Sequence, residues 1–120
     1  MVSKINLAEK LGRFSDHWSP KVVGELNDNN IMVVKVQGEF VWHHHAEEDE
    51  LFVVLKGELT IELRDGKVTL GPGELVVIPK GVEHRPVAPE EVHLMLIEPK
   101  VTRHTGNVVT DRTVHEYARI

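Results

Sequence analysis

The sequence predicts an all-β fold, a sandwich or barrel preceded by one short helix. Three observations point there. Short β-branched and apolar stretches recur at close spacing between Lys21 and Pro99. Gly and Pro stand at most of the joints between them. One stretch alternates strictly, with Leu59, Ile61 and Leu63 on one face and Thr60, Glu62 and Arg64 on the other. These are marks of a sheet built from many short strands.

Taken in order, the first element is the helix. Asn6 suits its cap, and Glu9 three residues later completes a capping-box pattern. Leu7, Leu11 and Phe14 recur at helical spacing and Trp18 extends the stripe, so a helix over about 6–18 is expected to cover the core. Ser19-Pro20 ends it. Strands follow at Lys21–Leu26, Ile31–Gln37, Phe40–His45, Leu51–Lys56, Leu59–Arg64, Lys67–Leu70, Glu74–Ile78, Val82–Val87 and Val92–Ile97. Asp65-Gly66 is a strong two-residue hairpin signal. The barrel therefore spans about 21–99, and a polar tail occupies 100–120, which could fold over the barrel mouth. Nothing suggests more than a single domain over 1–120.

Composition narrows the function classes. The 120 residues carry a formal net charge of −5, with no basic stripe of the kind that phosphate backbones require, so nucleic acid is not an expected partner. The absence of cysteine removes disulfides, thiolate metal sites and a cysteine nucleophile. No stretch approaches the roughly 20 apolar residues of a membrane span, and the first residues lack an apolar signal core, so the expectation is a cytoplasmic protein with no membrane partner.

Eight histidines in so short a chain is a high count, and two clusters use them. The first reads Gly38-x4-His43-x-His45-x4-Glu50-x6-Gly57. Residues two apart on a strand share a face, so His43 and His45 aim two imidazoles at one point while His44 points away. The acidic turn 46–49 lets Glu50 open the next strand beside them. Imidazole with carboxylate suits Zn, Fe, Mn, Ni or Cu. The second cluster reads Gly73-x5-Pro79-x-Gly81-x2-His84 and sets His84 just past a turn.

These two segments resemble the two motifs of the cupin superfamily, in particular small single-domain prokaryotic cupins loosely grouped with mannose-6-phosphate isomerase-like proteins. The resemblance covers roughly Gly38 to Val87. It implies a jelly-roll barrel, the cupin double-stranded β-helix, and one divalent metal ion (Zn, Fe, Mn or Ni) held by His43, His45, Glu50 and His84. The segment between the motifs, Glu58 to Pro72, is a single hairpin, as in compact microbial cupins. Two departures stand out: one residue fewer separates Gly38 from His43 than is usual, and Ala88 stands where the second motif ends in asparagine.

The other residues carry weaker expectations. Phe52 and Val54 share parity with Glu50 and should face the interior. Phe40 and Trp42 share the face of His44, so they should sit on the outer wall and need cover, which suggests a homodimer. His93 lines the cavity or the outer face. His17, His104 and His115 lack motif context and are expected in solvent. Glu39 and Lys35 lie near Gly38 with uncertain register. The resemblance implies a metal-dependent enzyme on a small-molecule ligand, of dioxygenase or sugar isomerase and epimerase type. A cupin that binds or senses a small molecule without turnover is the alternative. No separate acid–base pair chooses between them.

Overall fold

The computed structural model describes residues 2–110, 113 and 116–120. Among these a short helix, α1 (Leu7–Leu11), precedes eight strands: β1 (Lys21–Leu26), β2 (Asn29–Glu39), β3 (Glu50–Lys56), β4 (Leu59–Leu63), β5 (Gly66–Leu70), β6 (Leu75–Ile78), β7 (His84–Pro99) and β8 (Ala118–Arg119). The all-β barrel with a short N-terminal helix is thus what the chain forms. No helix among the described residues is long and apolar enough to cross a membrane.

The helix is shorter than its apolar stripe suggested. Asn6 caps it as expected, its side chain accepting from the Glu9 N–H at 3.0 Å. Glu9 does not complete a capping box, because Arg13 takes its carboxylate at 2.6 Å. Gly12 closes the element, donating its N–H to Ala8 O. Trp18 then reaches the core through a left-handed backbone at φ 59, not along a helix. Its ring stacks on Phe40 with centroids 4.5 Å apart, and Nε1 donates to Gln37 O at 2.9 Å.

The strands run in the order β5-β4-β7-β2-β1-β8, while β3 joins β7 on one side and β6 on the other. Strand β7 is the shared wall. Its first residues, His84–Val87, pair with β4, and the stretch His93–Met95 lies between β2 and β3. The two pieces expected at Val82–Val87 and Val92–Ile97 are therefore one continuous strand. Alternation fills the interior: Met32, Val34 and Val36 from β2, Phe52 and Val54 from β3, Leu59 and Ile61 from β4, and Val92, Leu94 and Leu96 from β7 are all buried. Each such side chain contributes about 1.5–3 kcal/mol on leaving water.

The stretch expected as a strand at Phe40–His45 is not one. Strand β2 ends at Glu39, after a register shift between Val36 and Gly38, with Gly38 at φ 92. Beyond it, among the described residues, an isolated bridge joins His43 to His84. Strict alternation is lost, and Phe40 turns inward to become a buried core residue. Trp42 stays at the surface, half-buried, with the Arg64 guanidinium 3.8 Å above its ring. Both aromatics are thus covered within the chain, and they no longer argue for a second copy.

The tail forms a strap across one end of the barrel. Thr102 donates its hydroxyl to Glu48 at 2.7 Å. Asn107 donates its N–H to His44 O at 3.1 Å and accepts the His44 N–H on its side chain at 2.9 Å. Further on, β8 adds a parallel pairing to β1.

Candidate metal centre

The four predicted ligands come from three places that the barrel brings together. His43 and His45 lie on the irregular stretch after β2, Glu50 opens β3, and His84 opens β7. The bridge between His43 and His84 is reciprocal, each N–H bonding the other's carbonyl at 3.1 and 2.9 Å. Glu50 follows the acidic turn, which Lys80 N–H pins by bonding Asp49 at 2.9 Å.

All four side chains are buried, and their candidate ligand atoms lie within 4.8 Å of one another. Glu50 Oε1 sits 2.7 Å from His84 Nε2, 3.1 Å from His45 Nε2 and 3.9 Å from His43 Nε2. Atoms bound at about 2.1 Å to a common ion lie about 3.0 Å apart at right angles and about 4.2 Å apart when opposite. The observed spacings, 2.7 to 3.9 Å, lie within about 0.3 Å of that range.

The hydrogen bonds around the rings decide what the cluster can accept. Nδ1 of His43 faces Val41 O at 2.9 Å, and Nδ1 of His84 faces Val82 O at 2.9 Å. A carbonyl only accepts, so both Nδ1 atoms carry the proton. In the neutral ring each Nε2 is then a bare lone pair aimed at the cluster, the arrangement a metal-ligating histidine needs. In these neutral tautomers the Nε2 lone pairs of His43 and His84 converge with a Glu50 oxygen; without an ion, a further proton on the His84 or His45 ring bonds that oxygen instead. Such a set repels itself unless a cation or extra protons fill it. The donor set therefore fits a divalent ion.

Electrostatics agree. Burial drives the His43 imidazole down to about 4, overriding the pull of Glu50, so its lone pair is free at neutral pH. Burial also opposes charge on His45, but the hydrogen bond and charge of Glu50 outweigh it and raise that ring. Burial works against ionised Glu50 as well. The hydrogen bonds and charges of His45 and His84 win, holding Glu50 far below the ordinary carboxylate range.

The neighbouring histidines behave differently from one another. His44 stays outside the cluster, half-exposed, its backbone clasped by Asn107. His93 lies on the outer face, opposite Lys35, and bonds Glu91 at 3.0 Å. Lys35 donates to Phe14 O, and Glu39 pairs with Arg85 at 3.3 Å, so neither reaches the centre. His17 is exposed, as expected, and meets Glu91 at 2.7 Å. His115 lies outside the described residues. His104 contradicts the expectation of solvent exposure. The strap buries it, stacked on Phe40 at 5.5 Å and edge-on to Tyr117 at 6.0 Å, because its backbone N–H donates to the Tyr117 hydroxyl.

One carboxylate was missed. Glu98 is 1% exposed, next to Glu50, and neither of its oxygens has a hydrogen-bond donor among the described residues. Burial first, and then the charge of Glu50, push it well above the ordinary range, so it keeps its proton and can donate to Glu50. The sequence did hold a signal. Glu98 shares strand parity with Val92, Leu94 and Leu96, a charge on a core-facing face. His104 and Tyr117 had no comparable signal, since the tail has no periodicity.

A cavity adjoins the cluster. His43 and Glu50 form part of its wall, His104 another, and apolar side chains most of the rest.

Comparison with known proteins agrees with this architecture. The cupin domain family model matches residues 30–100. A cupin-2 domain containing protein from Shewanella frigidimarina NCIMB 400 superposes with a TM-score of 0.79 at 54% identity, covering 80% of this chain and 94% of that one. Protein NMB1881 from Neisseria meningitidis follows with a TM-score of 0.74 at 30% identity, covering 82% and 100%. The uncharacterized protein YdbB of Bacillus subtilis (strain 168) is 42% identical over 64 residues, 52% of this chain, and the chain spans 57% of that relative's length. The matched family model and these relatives, together with the barrel they share, make this chain a member of the cupin superfamily, of the small cupin-2 kind.

Proposed function

We propose that the chain is a metal-dependent enzyme acting on a small molecule, with His43, His45, Glu50 and His84 as ligands to one divalent ion. One observation carries the reading: three buried imidazoles and a buried carboxylate converge within 4.8 Å of one another beside a cavity, with His43 Nε2 left without a hydrogen-bond partner among the described residues. The ion, once bound, would supply Lewis-acid polarisation or a site that activates water or oxygen. The chain's own residues do the rest. Val41 and Val82 carbonyls hold two rings in the ligating tautomer. Phe52 and Phe40 pack edge-on against His84 and His43 and keep bulk water from those rings. The reaction falls in the oxidoreductase or isomerase class, since the fold hosts both.

The test is to strip the protein with a chelator and reload it separately with Fe(II), Mn(II), Ni(II) and Zn(II). Depletion of a panel of phenols, keto acids and sugars is followed by mass spectrometry, with an oxygen electrode in parallel. Ion-dependent depletion that disappears in Glu50→Gln and His84→Ala supports the reading. A fully loaded protein that consumes nothing overturns catalysis and leaves the non-catalytic binding cupin standing.

We also keep a homodimer as a proposal, on different residues from those first considered. Leu75 and Val77 on β6 are 58% and 50% exposed and adjoin Val53 and Leu51 across the β3 pairing. Charge is absent from that patch, as at the core of a self-complementary interface. Light scattering that finds only monomer at millimolar concentration would overturn it.

A further inference from the structure

Away from the metal centre, a separate cavity opens beside the strap, and hydrogen-bond donors dominate its wall. It measures about 340 Å³, within the size range of small-molecule sites. Lys100 and Arg103 from the strap and Arg119 from β8 line it, together with Asn30, Glu116 and Tyr117. Glu25 answers two of these cations at once, Lys100 at 2.9 Å and Arg119 at 3.3 Å. Arg103 spends its Nε on Gly106 O at 3.0 Å, and its two terminal nitrogens bond nothing among the described residues. Asn30 is 5% exposed, and its side chain also lacks a hydrogen bond among those residues. Its amide oxygen is enclosed, which leaves the amide nitrogen as the polar atom facing the cavity. The Tyr117 hydroxyl is already used, accepting the His104 N–H at 2.8 Å and donating to Thr102 O at 3.3 Å. Three cations against two carboxylates, Glu25 and Glu116, leave one positive charge in excess among the described residues.

We propose that this cavity is a second ligand site, which takes a small organic anion by its carboxylate or phosphate head. The Arg103 guanidinium offers paired N–H donors, a geometry that both heads accept. The Asn30 amide, Lys100 and Arg119 add donors from other sides, so the oxygens of such a head find several partners. A neutral molecule would leave the excess charge unanswered, and a cation would be repelled by it. None of His43, His45, Glu50 and His84 lines this cavity, so the site stands whether or not the metal centre does. It does touch the strap. Arg103 holds Gly106, and Gly106 packs on the His44 carbonyl. An anion shared by Lys100, Arg103 and Arg119 therefore ties the strap to β8 and holds it down on the ligand-bearing segment.

The experiment titrates the full chain with inorganic phosphate, acetate and acetamide at constant ionic strength and reads backbone amide shifts by NMR. The proposal expects saturable shifts at 100–103 and 117–119 with at least one of the two anions at millimolar concentration, and none with acetamide, the uncharged isostere of acetate. The tighter of the two anions identifies the head. Arg103→Gln and Lys100→Gln should each weaken binding about tenfold, the loss of one charge-assisted partner. Lys67→Gln makes the same charge change on β5, at the far end of the strand order, and should leave affinity unchanged. Hydrogen exchange at the His44 amide should slow at saturation. Saturable shifts that appear first at 43–45 and 84 would put the anion on the metal centre and overturn the site. No saturation with either anion up to about 50 mM would do the same, as would equal weakening by Lys67→Gln, the mark of diffuse charge attraction. If Arg103→Gln unseats the strap, seen as a His44 amide deprotected without anion, Lys100→Gln decides, and unchanged affinity there overturns the site. Unchanged His44 exchange at saturation overturns the tie between strap and β8.

Discussion

Replacing Gly106 with alanine probes how the strap is seated on the ligand-bearing segment. Gly106 has φ 60, and a Cβ built there would lie 2.2 Å from His44 O, 2.9 Å from the His44 carbonyl carbon and 3.1 Å from His43 Cδ2. No Cβ tolerates the first distance, so strap and segment must separate by about an ångström, since packed interiors do not give that much in place. That separation breaks the two bonds between His44 and Asn107, each worth about 1 kcal/mol. Gly38→Ala is the internal control. It also places alanine at positive φ, 92, but nothing lies within 4 Å of its Cβ. The backbone penalty of about 1–2 kcal/mol for a left-handed alanine falls on both variants and is no smaller at Gly38, whose φ of 92 lies beyond the usual left-handed region, so the control is a conservative one. Gly106→Ala should therefore be less stable than Gly38→Ala by about 2 kcal/mol in urea titrations followed by tryptophan fluorescence. Hydrogen exchange should show the His44 amide deprotected in Gly106→Ala alone. Equal stability of the two variants, or a His44 amide still protected, would refute the close seating of the strap.

Other outcomes follow from the same structure. Trp18→Ala removes a buried ring stacked on Phe40 and should cost about 3–5 kcal/mol, whereas Trp42→Ala loses only a surface ring under Arg64 and should cost about 1 kcal/mol or less; similar losses in thermal melts would contradict that ranking. Glu98→Leu removes a buried carboxyl whose oxygens accept no hydrogen bond among the described residues but which can donate to Glu50, so the two effects oppose each other and metal-free stability should change by less than about 2 kcal/mol; a larger loss would contradict this balance. Burial holds folded His43 at about 4 against an ordinary imidazole value of 6.5, so between those pH values the unfolded chain binds a proton that the folded chain refuses. This contribution is present in full above pH 6.5 and is lost as pH falls toward 4. Metal-free wild type should thus lose stability relative to His43→Gln over that window, and parallel pH profiles would contradict it.

How far the sequence reached is clearest at individual positions. The parity argument placed Phe52 and Val54 inside with Glu50, and it held because β3 is a regular paired strand. The same argument failed at Phe40, because alternation needs a continuous ladder and the ladder stops at Glu39 after the Gly38 bulge. His43 and His45 still converge there, held by the bridge to His84 and the Val41 carbonyl and not by strand pleat. The stripe from Leu7 to Trp18 predicted burial of Leu11 and Trp18 rightly and a helix wrongly past Leu11. A periodic apolar pattern reports which side chains are buried, and here a left-handed turn at Trp18 meets that demand after Gly12 has ended the helix. Glu98 was legible by parity on β7. His104 was not, because its burial depends on Tyr117 and Asn107, distant contacts with no local pattern.

The central claim is that four buried side chains are shaped around one divalent ion. Elemental analysis of natively purified protein tests it most directly, with a His43→Ala, His84→Ala double variant purified alongside and both checked for fold by circular dichroism. The account predicts close to one divalent ion per wild-type chain and near none in the folded double variant. Metal retained in full by that variant, or a wild-type chain that holds none even after dialysis against Zn(II), Mn(II), Ni(II) and Fe(II), would contradict it.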